Sequence, residues 1–167
     1  TKDQYYNALD FLQKKIADGF IRQVKGNDYK EDLISGDAVA VIGWSGDAFQ
    51  LAAENDGKFE FAIPESGGTI SADNFIIPST SKNKANVEKL INYYYEPEVA
   101  AKVAAYVNYI TPVQGAQAAM EKVDPTLVNN ELIFPSAKTQ SMLHVFRNLT
   151  PAEETEFTDA FQKATGN

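Results

Sequence analysis

The stretch from Ser35 to Pro78 constrains the fold more than any other part of the chain. A continuously apolar run at Ala38 to Ile42 and two further strand-like segments, Phe59 to Ile63 and Asn74 to Ile77, alternate with turns of small residues and with one helical segment, Gly46 to Asn55. An apolar run of four or five residues between turn signals is typical of a strand. Strands that alternate with helices predict the α/β class.

Helices are also predicted before and after this stretch. Thr1 and Gln4 form a capping-box pattern, and apolar residues recur at helical spacing from Tyr5 to Ile16. Further helices are expected over residues 28–34, 83–95, 97–107, 113–122 and 151–164. Two of them begin at a proline, which the first turn of a helix tolerates well.

Composition excludes several classes of function. The chain has no cysteine, which excludes disulfides, thiolate zinc sites and a cysteine nucleophile. Its single histidine, His144, excludes a histidine-rich metal site, and we expect neither a metal nor a cofactor. A net charge of −8 without a basic stripe argues against nucleic acid. No apolar run approaches the roughly 20 residues of a membrane span.

Trp44 and Asp73 are the candidate ligand-binding residues. Trp44 follows the apolar run 38–42 directly and lies in a turn of small residues. Asp73 precedes the apolar residues 75–77, so its carboxylate is expected at the rim of a sheet. Side chains at strand ends build the ligand clefts of α/β proteins. An indole and a carboxylate in one cleft would seat an amine, by cation–π or methylene packing and by a charge-assisted hydrogen bond.

Two other interpretations stay open from these residues alone. If Trp44 is a packing residue at the edge of the core, and Asp73 a turn residue, the chain is a structural or interaction domain. If the carboxyls of Asp47 and Asp73 lie roughly 5 to 9.5 Å apart, they could serve a hydrolase. No catalytic motif accompanies them, because Gly43-Trp44-Ser45-Gly46 lacks the glycine two places before the serine of a nucleophile elbow. We therefore predict a binding protein rather than an enzyme.

Several motifs occur in order along nearly the whole chain. They are Leu-x-x-Gly-Asp-x-x-x-x-x-x-Trp-x-Gly-x-Ala-Phe at 33–49, Pro-x-x-Gly-Gly at 64–68, the segment 73–78, Ser-Lys-Asn-Lys at 81–84, Leu-Ile-Asn-Tyr at 90–93, Pro-Glu-Val-Ala at 97–100 and Asn-Tyr-Ile-Thr-Pro at 108–112. Together they resemble the spermidine/putrescine-binding proteins of bacterial ABC importers, which have the type II periplasmic-binding fold. The chain resembles the C-terminal portion of such a protein.

The resemblance implies two α/β lobes, with mixed sheets flanked by helices, that close on a solute. It assigns residues 1–71 to the second lobe, 72–111 to a segment returning to the first lobe, and 112–167 to the hinge return and the C-terminal helices of the second lobe. The glycine pair at 67–68 would then act as a hinge, because a hinge must absorb backbone rotation.

The resemblance also implies roles for individual side chains. Trp44 would pack on the methylenes of a polyamine and Asp73 would pair with an ammonium group. Two further ligand-site positions are Ser71, where polyamine binders tend to carry an aromatic residue close by, and Arg147, near which they carry a glutamine. Because both positions differ from the family pattern, another cationic or zwitterionic solute stays open.

Partners and location follow from the same resemblance. The expected partners are a small cationic solute such as a polyamine, the membrane permease of the importer, and the N-terminal portion of the same protein, with no nucleic acid. With its signal peptide removed, the protein would be periplasmic or extracellular, and lipid-anchored to the cell surface in a Gram-positive organism. Without the N-terminal portion we expect weak solute binding or none, and an exposed half-core that favours oligomers.

Overall fold

The computed structural model describes residues 1–166 of the chain. The helices of this part are α1 Lys2–Ala17, α2 Tyr29–Ser35, α3 Ser45–Glu54, α4 Lys84–Tyr94, α5 Pro97–Val107, α6 Ala116–Val123, α7 Ala137–Ser141 and α8 Pro151–Thr165, with a 3₁₀ turn at Pro125–Leu127. Two short strands, β1 Gly68–Thr69 and β2 Leu143–His144, pair in parallel, with Gly68 opposite Leu143. The chain separates into two compact units, Trp44–Phe146 and the remainder on either side of it.

α1 and α8 pack together in the unit formed by the two ends of the chain. The rings of Tyr5 and Phe157 stack with their centroids 4.1 Å apart, and the Tyr5 hydroxyl donates a hydrogen bond of 2.6 Å to the carbonyl of Phe157. Phe157 is buried, as is Leu9 on α1. Burial of one such apolar side chain stabilises the fold by about 1.5–3 kcal/mol.

α2 belongs to the same unit and is tied to the loop before it. The Lys25 ammonium group lies 2.9 Å from the Asp32 carboxylate, and both side chains are largely shielded from solvent. Tyr29, at the start of α2, is buried. The helix ends at Gly36, whose φ of 83° is in the left-handed region that favours glycine.

The core of the other unit lies between α5, α6 and the 3₁₀ turn. Alanines on α5 let the helices approach closely, and larger side chains fill the space beside them. The fully buried or nearly buried members are Ala101, Ala104, Met120, Leu127 and Ile133. Phe49 of α3 packs against this cluster, so the helix that follows Trp44 is anchored on the core.

The predicted helices are confirmed at most positions. Those expected at 28–34, 83–95, 97–107 and 151–164 form within one or two residues of these bounds. The helix expected at 113–122 begins later, at Ala116, because Gly115 has a φ of 83° and cannot belong to a right-handed helix. The sequence pattern does not predict α7, β1 or β2.

Three predicted strands do not form. The segments 38–42, 59–63 and 74–77 carry no helix and no strand pairing among residues 1–166. A strand needs a neighbour for its backbone N–H and C=O groups, and apolar composition alone does not supply one. Val39 and Ile42 are fully exposed, whereas the pairing that does form involves residues 68–69 and 143–144.

Three further expectations concern membrane-spanning helices, metal sites and the division into lobes. None of the helices in the described part combines the length and apolar character of a transmembrane segment. Across residues 1–166, no cluster of three or more His, Cys, Asp or Glu side chains could hold a metal ion. The predicted lobe segments 1–71, 72–111 and 112–167 concern a longer, two-lobed protein and stay a prediction.

Candidate solute-binding site

Trp44 lies at the N-terminal end of α3, as the residue that caps the helix. Its φ and ψ of −82° and 139° are extended, so the chain turns from an extended segment into the helix at this residue. The side chain is 53% exposed. Trp44 is therefore not a fully buried core residue, and part of its indole faces solvent.

Asp47 follows Trp44 by three residues, in the first turn of α3. Residues three apart are neighbours on a helix surface, and a carboxylate near a helix N-terminus is stabilised by the helix dipole. The Tyr109 hydroxyl donates a hydrogen bond of 3.3 Å to Asp47 Oδ1. The pKa of Tyr109 is raised, chiefly by burial and then by the charge of Asp47. An indole and a carboxylate held by a tyrosine thus occur within one helical turn.

The sequence predicts Asp47 only as half of a hydrolase pair, and it predicts no role for the side chain of Tyr109. The spacing Trp-x-x-Asp at the start of a predicted helix was a signal for Asp47, because it puts both side chains near one end of that helix. Tyr109 carried no such signal, since it lies 62 residues from Asp47 along the chain.

Ser71 and Asp73 follow β1 in a segment without regular secondary structure. The N–H of Ile70 donates to the His144 carbonyl at 3.0 Å, so the pairing of β1 with β2 fixes the backbone just before Ser71. Both Ser71 and Asp73 are exposed. They belong to the same compact unit as Trp44, on a separate segment of chain.

Arg147 begins the return of the chain to the other unit. Its guanidinium binds the Glu153 carboxylate through two hydrogen bonds of 2.8 and 3.3 Å. Glu153 in turn accepts a hydrogen bond from the Thr150 backbone N–H at the start of α8. These bonds, that from Arg147 first, lower the pKa of Glu153 to about 2. The positive charge of Arg147 is thus balanced by Glu153, and a contact between Arg147 and a solute stays a prediction.

A separate cavity of about 400 Å³ lies in the unit that contains Trp44. Its wall is formed by apolar side chains of Phe61, Ile63 and Met142 and by the polar residues Glu131 and Lys138, among others. The Glu131 carboxylate already accepts hydrogen bonds from Ser136 N–H and the Thr139 hydroxyl, which lower its pKa. None of the four predicted ligand residues lines this cavity.

Comparison with known proteins identifies the family. The sequence pattern of the family described as bacterial extracellular solute-binding protein matches residues 1–134. The chain belongs to this family. The resemblance seen in the sequence is thereby confirmed.

Relatives of this chain include two proteins from Escherichia coli K12. The putrescine-binding periplasmic protein PotF is 30% identical over 166 residues, which are 96% of this chain and 44% of PotF. The spermidine/putrescine-binding periplasmic protein is 32% identical over 134 residues, which are 80% of this chain and 36% of that protein. The chain thus spans less than half the length of these relatives.

A solved structure supports the same fold. It is described as a putative spermidine/putrescine ABC transporter from Listeria monocytogenes, and it superposes with a TM-score of 0.76 at 28% identity. The superposition covers 94% of this chain and 47% of that structure. The predicted class, part of an α/β periplasmic-binding fold, is confirmed.

Proposed function

We propose that this chain is part of the solute receptor of an ABC importer, and that its solute is a polyamine such as putrescine or spermidine, bound without chemistry. The observation that carries the proposal is the half-exposed Trp44 at the start of α3, with the Asp47 carboxylate one turn away and bonded to Tyr109. The names of the relatives, which are putrescine- and spermidine-binding proteins, agree with this chemistry.

The proposed site binds the two parts of a polyamine in different ways. The exposed face of Trp44 packs on the methylene groups and attracts an ammonium group by a cation–π interaction. The carboxylates of Asp47 and Asp73 accept charge-assisted hydrogen bonds from ammonium groups. The Tyr109 hydroxyl holds the Asp47 carboxylate in place, so less side-chain freedom is lost when a solute binds.

Ser71 and Arg147 complete the proposed set of ligand residues. Ser71 offers a hydroxyl where an aromatic ring would fill space, so it leaves room beside the solute. Arg147 lies on the exposed surface with its charge balanced by Glu153, which reduces its repulsion of a cationic solute. The presence of Arg147 also favours one second candidate, a zwitterionic solute whose carboxylate this guanidinium would bind.

The remaining proposed partners are an additional portion of the same receptor and a membrane permease. Exposed apolar residues on the extended segments, Val39, Ile42 and Ile76 among them, have the composition of strands that lack a neighbour. We propose that the additional portion of a protein as long as the relatives covers them, completes the two lobes at the predicted segment bounds, and supplies the second face of the cleft. The complete receptor would deliver its solute to a membrane permease.

The proposed location is outside the cytoplasm. The E. coli relatives are named periplasmic proteins. In a Gram-positive organism the same role requires attachment to the cell surface, which a lipid anchor would provide.

Calorimetric titration with putrescine and spermidine tests the proposed function, and it should be done on the chain joined to the proposed N-terminal portion of the complete receptor. Asp47→Asn and Asp73→Asn each remove the charge of one proposed hydrogen bond, and each should weaken binding by about 1.5–3 kcal/mol, or roughly 10- to 150-fold. Asp56→Asn, in an exposed turn, is the matched control. Wild-type affinity in both Asp47→Asn and Asp73→Asn would show that the site is misplaced.

Two further titrations separate the alternatives. 4-Aminobutanoate has one ammonium and one carboxylate group. If it binds more tightly than putrescine, the solute is a zwitterion rather than a polyamine. The 167-residue chain alone should give no heat at micromolar polyamine, because a cleft with one face does not desolvate its solute. Recovery of unchanged polyamine after incubation with the complete protein would argue against the hydrolase interpretation of Asp47 and Asp73.

A further inference from the structure

Two glycines, Gly43 and Gly46, flank Trp44 at the start of α3. Glycine is usually required where φ is positive, and this explains other glycines of the chain such as Gly36 and Gly115. Neither Gly43 nor Gly46 has a positive φ. The sign of φ therefore does not require glycine at these two positions, and the surroundings supply a different reason for it.

Each of the two glycines is covered by a tyrosine ring. A β-carbon at Gly43 would lie 2.8 Å from Cε2 and Cζ of Tyr29, and one at Gly46 would lie 2.6 Å from Cζ of Tyr109. Real β-carbons essentially never approach other heavy atoms within 3.0 Å. Each pair lies within a single compact unit. The rings thus occupy the space that a side chain at position 43 or 46 would need.

Neither ring can turn away at little cost. Tyr29 is 8% exposed, so its movement would disturb a packed region. Tyr109 is partly buried, and its movement would break the hydrogen bond to Asp47. Gly46 itself is buried beneath the Tyr109 ring.

We propose that Tyr109 is a positioning residue that fixes the conformation of Trp44 by seating its ring on Gly46, in the unit that contains Trp44. A turn with glycines on both sides of the tryptophan has much backbone freedom to lose. The contact between Gly46 and the Tyr109 ring restricts that freedom two residues after Trp44. This inference rests on the proposed function only in taking Trp44 as a ligand residue; the ring contacts themselves do not depend on a solute.

The Gly46→Ala variant gives the sharpest test, because two effects predict opposite signs. Gly46 lies in the first turn of α3, where helix propensity alone predicts that alanine raises stability. The ring contact predicts that alanine lowers it, by a fall in the unfolding midpoint of about 2–12 °C. The unfolding midpoint of the Gly43→Ala variant should fall by a similar amount. Gly26→Ala is the matched control, because nothing lies within 4 Å of a β-carbon there and its φ is not positive.

Fluorescence reports on the position of Trp44 directly, since it is the one tryptophan of the sequence. In the 167-residue chain without solute, Gly46→Ala should shift its emission maximum and change its quenching by iodide, while Gly26→Ala leaves both unchanged. A merely destabilised but correctly positioned turn would lower the unfolding midpoint and leave the native emission as it is, which would overturn the proposal.

Double variants test whether the tyrosine rings cause the effect. The loss caused by Gly46→Ala should shrink when Tyr109→Ala removes the ring, and likewise for Gly43→Ala with Tyr29→Ala. If Gly46→Ala alone fails to fold, the Gly46→Ala/Tyr109→Ala chain must fold for the proposal to hold. Additive losses would overturn it. These measurements contain no solute. They can therefore support the role of the ring contacts even if the polyamine titration contradicts the proposed function, and they can contradict that role even if polyamine binds.

Discussion

α8 and α4 are helices of similar amphipathic pattern with opposite surroundings. α8 buries Phe157 and Ala164, and the ring of Tyr5 on α1 stacks on Phe157. α4 has no buried residue, and on it Leu90 is 66% and Tyr93 56% exposed. The ends differ too, since α8 begins with a capping box at Thr150, whereas Asn83 makes no side-chain capping bond to α4.

The difference shows what an amphipathic pattern does and does not determine. The pattern indicates that one face of a helix is suited to burial, but it does not identify the polypeptide that buries it. For α8 the partner is α1, in the same chain. This chain corresponds to 44% of the length of PotF, and we propose that the face of α4 is covered by polypeptide of the kind that makes up the rest of such a relative.

The largest expected effect comes from removing one aromatic ring from each helix. Phe157→Ala deletes a buried ring that is stacked on Tyr5, and we expect it to lower the free energy of unfolding by about 3–5 kcal/mol. Tyr93→Ala removes an exposed ring and should change it by no more than about 0.5 kcal/mol. Urea unfolding monitored by circular dichroism measures both values.

Equal losses of unfolding free energy in Phe157→Ala and Tyr93→Ala would contradict the contrast between a packed α8 and an exposed α4, because they would show that α4 is packed in solution. That outcome would point to self-association of the chain, which a dependence of the midpoint on protein concentration would reveal. The oligomer expected from an exposed half-core would then have α4 in its interface.

The helix caps give the next largest difference. The Thr150 hydroxyl accepts a hydrogen bond from the Glu153 N–H, and Thr150→Ala should cost about 1 kcal/mol of stability. Asn83→Ala, at the equivalent position of α4, breaks no such bond and should change stability by no more than about 0.5 kcal/mol. The same unfolding measurement applies, and a larger cost for Asn83→Ala than for Thr150→Ala would contradict the assignment of the caps.

The helices could be predicted from the sequence because their signals are local. Capping residues, prolines at the first turn and apolar residues at helical spacing all lie within the segment that they specify, as at Thr1, Pro97 and Thr150. The strands could not be predicted in the same way. The run Ala38 to Ile42 has the composition of a strand, but a strand is completed by a neighbour that the run itself does not specify.

In the candidate site, too, residues with a local sequence signal could be predicted and residues placed by long-range contacts could not. The sequence predicted Trp44, and the structure adds that the indole is half exposed and stands one turn before Asp47. Tyr109 could not be foreseen, because its contacts with Gly46 and Asp47 join segments more than 60 residues apart along the chain. Such contacts depend on how α3 lies against the rest of its unit rather than on any local motif.

The smallest expected difference between the two helices is electrostatic. Glu153 in α8 binds Arg147, and its pKa falls from an ordinary value of 4.5 to about 2. A depressed pKa in the folded state stabilises the protein at pH values above the unfolded pKa, and this contribution disappears as the pH falls from about 4.5 to about 2. Glu153→Gln removes this contribution while glutamine keeps the capping box.

The wild type should therefore exceed Glu153→Gln in stability most clearly above pH 5, and the two should converge as the pH falls toward 2, in unfolding curves at several pH values. Glu88→Gln is the matched control on α4, where the carboxylate lies 3.6 Å from Lys84 in an exposed pair. Exposed pairs contribute little, so the curve of Glu88→Gln should follow the wild type throughout. A pH-independent gap between wild type and Glu153→Gln would mean that the bond to Arg147 does not persist in solution. Arg147 would then carry an uncompensated positive charge, which favours a zwitterionic solute over a polyamine.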